Sequence, residues 1–108
     1  MTAEAFKRQL EALSADYRRD LPKKLALIES LWLELAHGAA QPSRITDLLR
    51  ELHSISGSAK TLGVAGVSEA AATAESFLEP FSKRGKLPNA AQQAEFVRLL
   101  DALKRAGS

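Results

Sequence analysis

Three residues in one short stretch have types and spacing suited to chemistry: His53, Gly57 and Lys60, within His53-Ser-Ile-Ser-Gly57-Ser-Ala-Lys60-Thr-Leu-Gly63. An imidazole with its ordinary pKa of about 6.5 is neutral for much of the physiological range and is a competent nucleophile. Gly57 interrupts what otherwise reads as a helix, at a cost of roughly 1 kcal/mol relative to alanine. A glycine there marks close packing or a partner that must come near. Lys60 lies two turns beyond His53, about 10 Å along a helix axis. Helical side chains lean back toward the N-terminus, so Lys60 can reach over the notch left by Gly57 toward the imidazole. Other chemistries find less support. Ser54, Ser56 and Ser58 neighbour His53 in sequence, but adjacent residues do not face each other on a helix, and no serine–histidine–carboxylate set is apparent. The second histidine, His37, precedes Gly38 and reads as a capping residue at a helix end. Two histidines 16 residues apart, with no cysteine, match no common metal-ligand spacing. Neither a metal nor a cofactor is expected.

These residues need helices to hold them. Phe6, Leu10, Leu13 and Tyr17 recur at spacings of four, three and four, one face of an amphipathic helix. Leu21, Leu25, Ile28, Trp32 and Leu35 continue the stripe, with Pro22 interrupting it. The pattern fits a first helix near 3–15 and a second near 20–37, or one helix kinked at Pro22. Gly38 ends this segment, and Ala39–Pro42 forms a short connection. The next helix starts near Pro42 or Ser43, proline suiting a first turn and serine a cap. Its stripe is Ile45, Leu48, Leu49, Leu52, Ile55, Ala59 and Leu62, and Gly63-Val-Ala-Gly66 ends it. A further helix carries Val67, Ala70, Ala71, Ala74, Phe77, Leu78 and Phe81, with Ser68 near its start. It breaks at Lys83-Arg-Gly85-Lys-Leu-Pro88. The last covers about 90–105 through Ala94, Val97, Leu100 and Leu103, with Phe96 and Leu99 widening the stripe. No segment alternates with period two. The expected fold is all-α: an antiparallel four-helix bundle with an additional short N-terminal helix, one domain over residues 1–108.

A helix turns about 100° per residue. With Ile45 at zero, the apolar stripe centres near about −40° and His53 falls near about +80°. Thr46, Arg50, Gly57 and Lys60 share that flank between core and solvent, while Asp47 and Glu51 fall on the other side. The patch around His53 is thus expected to carry Arg50 and Lys60 and no carboxylate from its own helix, which favours an anion.

Composition excludes several classes. Hydrophobic residues make up 45% and charged residues 26%, an ordinary globular balance. The absence of cysteine rules out disulfides and thiolate chemistry and fits a cytoplasmic setting. No apolar run is long enough to span a membrane, and the N-terminus has an early acid and no apolar signal core. The basic pairs and clusters Arg18-Arg19, Lys23-Lys24 and Lys83-Arg84-Lys86 read as solvated faces, and at a net charge of +2 nucleic acid is not an expected partner. No glycine-rich phosphate loop or kinase motif is present.

The stretch around His53 resembles the signature of histidine-containing phosphotransfer (HPt) domains. That signature runs histidine, a polar residue, an apolar one, lysine, glycine, two small residues, two variable ones, an apolar residue and glycine. His53, Ile55, Gly57, Ser58, Ala59, Leu62 and Gly63 match it in type and position, Leu49 and Leu52 match the apolar lead-in, and Glu75 sits where these domains often carry a glutamate. Length, helix order and the place of the histidine extend the resemblance over nearly the whole chain. One position departs: where the family usually has lysine, three residues after the histidine, this chain has Ser56. Lys60, one turn further on the same flank, is the expected substitute.

The resemblance implies a phosphorelay intermediate and no enzyme. His53 would accept a phosphoryl group from a receiver-domain aspartate and pass it to another receiver, or run the reverse. Gly57, Lys60, Ser56 and Arg50 would support the phosphoryl site and partner docking. The implied partners are response-regulator receiver domains and hybrid or sensor histidine kinases, with the chain itself a cytoplasmic monomer. Ser56 keeps a second reading open: a helical adaptor that docks on receivers or kinases without relaying.

Overall fold

A computed structural model describes residues 2–38, 41 and 43–107. Four helices run through them: α1 (Ala3–Ala36), α2 (Arg44–Thr61), α3 (Ala65–Arg84) and α4 (Ala90–Gly107). Each packs on the next, and α4 returns to α1. The pairing is antiparallel throughout. Tyr17 Oη donates to the Ile55 carbonyl at 3.3 Å and Ser14 Oγ to the Leu62 carbonyl at 2.6 Å, so α2 rises as α1 falls. On the far side, Phe77 meets Phe96 while Gly66 meets Ala106, which reverses α4 against α3.

The expected short N-terminal helix is not separate. It is the first part of α1, which runs unbroken through Pro22. Proline removes the bond that residue 22 would give to the Arg18 carbonyl. Arg18 and Pro22 both lie on the exposed side, where an unpaired carbonyl costs least because solvent can reach it, while buried Tyr17, Leu21 and Ile28 hold the inner face on the bundle. The N-terminal part of the stripe is not core either. Phe6 and Leu13 are 56% and 54% exposed. At 1.5 Å per residue α1 is about 51 Å long, and it sets the 52 Å long axis of the molecule.

Helix ends follow local chemistry. Thr2 caps α1 by accepting from the Ala5 N–H at 3.1 Å. His37 is the C-cap of α1, and Gly38 follows with φ +69°. Ala39, Ala40 and Pro42 of the expected connection lie outside the described residues. Ser43 stands at the N-cap of α2 in helical conformation, so its hydroxyl makes no capping bond. Gly63, at φ +77°, closes α2: its N–H bonds the Lys60 carbonyl and the next N–H, from Val64, bonds Ala59. Asn89 and Gln92 exchange side-chain and backbone bonds at 2.8 and 2.9 Å, a reciprocal box that starts α4.

Ile45, Leu48, Leu52, Ile55 and Ala59 are all buried, as their spacing predicts. In α4 the core face is centred on Phe96, Leu100 and Leu103, while Val97 and Ala94 are exposed. The aromatic cluster decides this rotation. Phe96 packs 4.4 Å from Trp32 and 6.2 Å from Phe77, ring centre to ring centre. At the other end, Gly107 lies so close to α1 that a Cβ there would stand 2.8 Å from Leu21.

Candidate functional site

The site lies on the groove between α2 and α3. Leu52 and Ile55, on either side of His53, are buried, which pins the helix rotation and puts His53 on the shoulder with its side chain 78% exposed. Three cross-groove contacts fix the register: Thr46 Oγ1 with Ser82 Oγ at 3.3 Å, His53 Nδ1 with Glu75 Oε2 at 3.0 Å, and Ser68 Oγ donating to the Ser56 carbonyl at 2.8 Å. As the number rises in α2 it falls in α3. The short connection through Gly63 makes this register almost obligatory. His53 lies eleven residues before Val64 and Glu75 eleven after it. Reflection about that turn is a sequence signal that singles out Glu75 without any family pattern.

A carboxylate only accepts hydrogen bonds. Against Glu75 as a carboxylate, Nδ1 is the nitrogen that donates, which in the neutral ring leaves the lone pair on Nε2. Glu75 is itself only 25% exposed, tucked beside the ring, so the pair sets the ring's orientation. At Gly57, one turn on, a Cβ would meet nothing within 4 Å. Packing therefore does not require the glycine, and the surface above it is open.

The residues singled out from the sequence fall into two groups. Ser56 and Lys60 line a cavity of about 400 Å³ with Gly63, Ala65, Ser68 and Glu69, at the end of the groove near the α2–α3 turn; His53 is not part of its lining. Lys60 is exposed and has no ion-pair partner among the described residues. Arg50 belongs elsewhere: its guanidinium lies 3.5 Å from Asp47, which also pairs with Arg44 at 2.8 Å. Asp47 and Arg50 are three residues apart and only about 60° apart on the wheel, so they are neighbours on the helix surface. Nor is the patch free of carboxylates, because α3 brings Glu75 to the ring and Glu69 to the cavity. The purely cationic patch expected from α2 alone is thus corrected to a face with lysine on one wall and glutamates on the other.

His37 shows what is special about His53. It is exposed at a helix end and makes no side-chain hydrogen bond or ion pair with the described residues. Among those residues no group of histidine, aspartate and glutamate is placed to hold a metal ion, and no helix is long and apolar enough to cross a membrane.

The chain is an all-helical bundle with an exposed imidazole, in contact with Glu75, on its second helix. The model of the Hpt domain family matches residues 8–107, and the chain belongs to that family. Neither the curated proteins nor the solved structures return a match to it. Membership gives the general role: Hpt domains are phosphocarrier modules of two-component signalling that interact with receiver domains and histidine kinases.

Proposed function

We propose that the chain, as one domain, is a cytoplasmic phosphorelay intermediate whose phosphoacceptor is Nε2 of His53. The observation that carries this is the 3.0 Å contact of His53 Nδ1 with Glu75 beside an exposed ring and an open Gly57. In the forward step the Nε2 lone pair attacks phosphorus of an aspartyl phosphate. The N–P bond forms, the bond from phosphorus to the acyl oxygen breaks, and the aspartate leaves as a carboxylate with that electron pair. The Nδ1 proton stays in place, and Glu75 balances the positive charge that develops on the ring. The reverse step returns the phosphoryl group to a second receiver. Phosphoryl transfer asks for positioning and charge compensation more than for covalent help. Lys60, swinging along the cavity that the small Ser56 side chain leaves open, supplies a cation to the phosphoryl oxygens. Gly57 admits the receiver's surface. Arg50, held by Asp47, contributes to docking at the edge of the face.

Potassium phosphoramidate, which phosphorylates imidazoles directly, tests the site without a cognate partner. Phosphorus NMR after treatment is expected to show one acid-labile, base-stable Nε2 adduct, absent from His53→Gln. Glu75→Ala should release the tautomer and give a mixture with the Nδ1 adduct. Phosphorylated receivers and kinases then test the relay itself. If none labels His53, and His53→Gln leaves receiver or kinase binding intact, the chain is the docking adaptor instead.

A further inference from the structure

The first three turns of α1 have no place in the relay and lie largely outside the bundle, with Phe6 and Leu13 exposed and Leu10 half-buried. Among the described residues, the hydrogen bond between α1 and α2 nearest the start of α1 is the one that Ser14 Oγ donates to the Leu62 carbonyl. Before that point α1 continues from Ala3 for about 16 Å. Phe6, Leu10 and Leu13 fall within about 60° of one another on this segment, directly in line with buried Tyr17 and Leu21. The stripe thus leaves the core and carries on into solvent. Beside it a cavity of about 450 Å³ opens over Leu10, Ser14, Ala15 and Leu62, with Lys7 and Arg18 on its rim. An isolated helix of this length is marginal in water, and an apolar stripe of this kind marks an interaction surface.

We propose that this stripe is covered by the same segment of a second copy of the chain, the two lying antiparallel about a two-fold axis. Spacings of four, three and four are those of alternating core positions in a coiled coil. Antiparallel pairing sets Leu10 of one copy against Leu13 of the other, twice, and Phe6 against Tyr17 at the mouth of each bundle. Such a contact is self-complementary, as a two-fold interface requires. Charge favours this occupant over an acidic partner or an anionic lipid surface. Residues 2–13 carry Glu4 and Glu11 against Lys7 and Arg8, two charges of each sign. Two copies meet without net repulsion, whereas a helix that lies on anionic lipid needs a cationic band. The dimer leaves the α2–α3 groove uncovered, so each particle carries two His53 sites. This inference is independent of whether His53 is phosphorylated.

Sedimentation equilibrium of the 108-residue chain, from low micromolar to submillimolar concentration, tests it. The expected mass rises toward twice 11.7 kDa. Leu13→Glu and Phe6→Glu change exposed side chains, so circular dichroism should show an unchanged helix content at high concentration apart from the first turns. Leu13→Glu, at the centre of the contact, is expected to weaken the dimer at least about tenfold, and Phe6→Glu, at its ends, less. Leu33→Glu, equally exposed on α1 but outside the stripe, should leave it unaltered. A mass of 11.7 kDa at every concentration overturns the proposal. So does a dimer that resists Leu13→Glu and yields to Leu33→Glu. Co-sedimentation of a monomeric chain with phosphatidylglycerol vesicles, lost in Leu13→Glu, also overturns it and assigns the stripe to lipid.

Discussion

Leu52 and His53 are adjacent in sequence and belong to opposite worlds. Leu52 is fully buried in the bundle, while the His53 side chain is 78% exposed over the groove. The same division runs along all of α2: Ile55 and Ala59 face the core, and Gly57 and Lys60 face outward. One helix thus carries the core on one side and the proposed site on the other. Its inner face fixes the rotation that the outer face depends on, while the outer face adds polar contacts to α3 such as His53 with Glu75. A bundle of this kind tolerates change at the site without losing the fold, but not the converse.

That separation can be broken experimentally, and the largest effect comes first. His53→Gln should abolish phosphoramidate labelling, while chemical denaturation moves by no more than about 0.5 kcal/mol, as expected of an exposed position. A larger loss of stability would mean that the ring is part of the packing. Leu52→Ala makes the reverse case, with an expected destabilisation of about 2–5 kcal/mol. The fraction that remains folded should still label at the original rate, measured well below its melting point. Lys60→Ala is a subtler probe of the outer face. The phosphohistidine lifetime should shorten by a few-fold in time-resolved phosphorus NMR, with no change in melting temperature. An unchanged lifetime and transfer rate would remove Lys60 from the site. Gly57→Ala has the smallest effect and the most telling sign. Because nothing stands where its Cβ would go, it should stabilise the helix by roughly 0.5–1 kcal/mol. Labelling by phosphoramidate should persist, while transfer from a protein donor slows. Destabilisation instead would show that packing, not approach, demands the glycine.

How much of this was legible in the sequence depended on the distance over which each feature is decided. The core face of α2 and its end at Gly63 follow from local period and turn chemistry, and both stand as expected. The course of α1 past Pro22 did not follow, because proline's effect depends on whether the orphaned Arg18 carbonyl faces water, and only the packed bundle settles that. Periodicity marked Phe6 and Leu13 as one face of a helix but carries no information about whether anything lies against it. In α4 the choice between Val97 and Phe96 was made by Trp32 and Phe77, two other helices. At the site, the wheel placed His53, Gly57 and Lys60 on one flank. The pair Asp47–Arg50 was in fact legible, since residues three apart are neighbours on a helix, but a single helix cannot show what Glu69 and Glu75 bring from α3.

Pro22 has a further consequence, in the time domain. It removes one rung from the ladder of α1 near the place where the helix leaves the bundle. In the uncombined chain, fraying that starts at Thr2 meets no tertiary bond until Ser14, and a few residues later it reaches a point where the backbone is already uncoupled. Local opening should therefore run easily as far as Ser14 and meet its stop between there and Pro22, where Tyr17 and Leu21 are buried. Amide exchange along α1 would then show a step rather than a slope, rapid before Ser14 and slow from Leu25 onward. The long helix would behave as a firm shaft with a yielding tip.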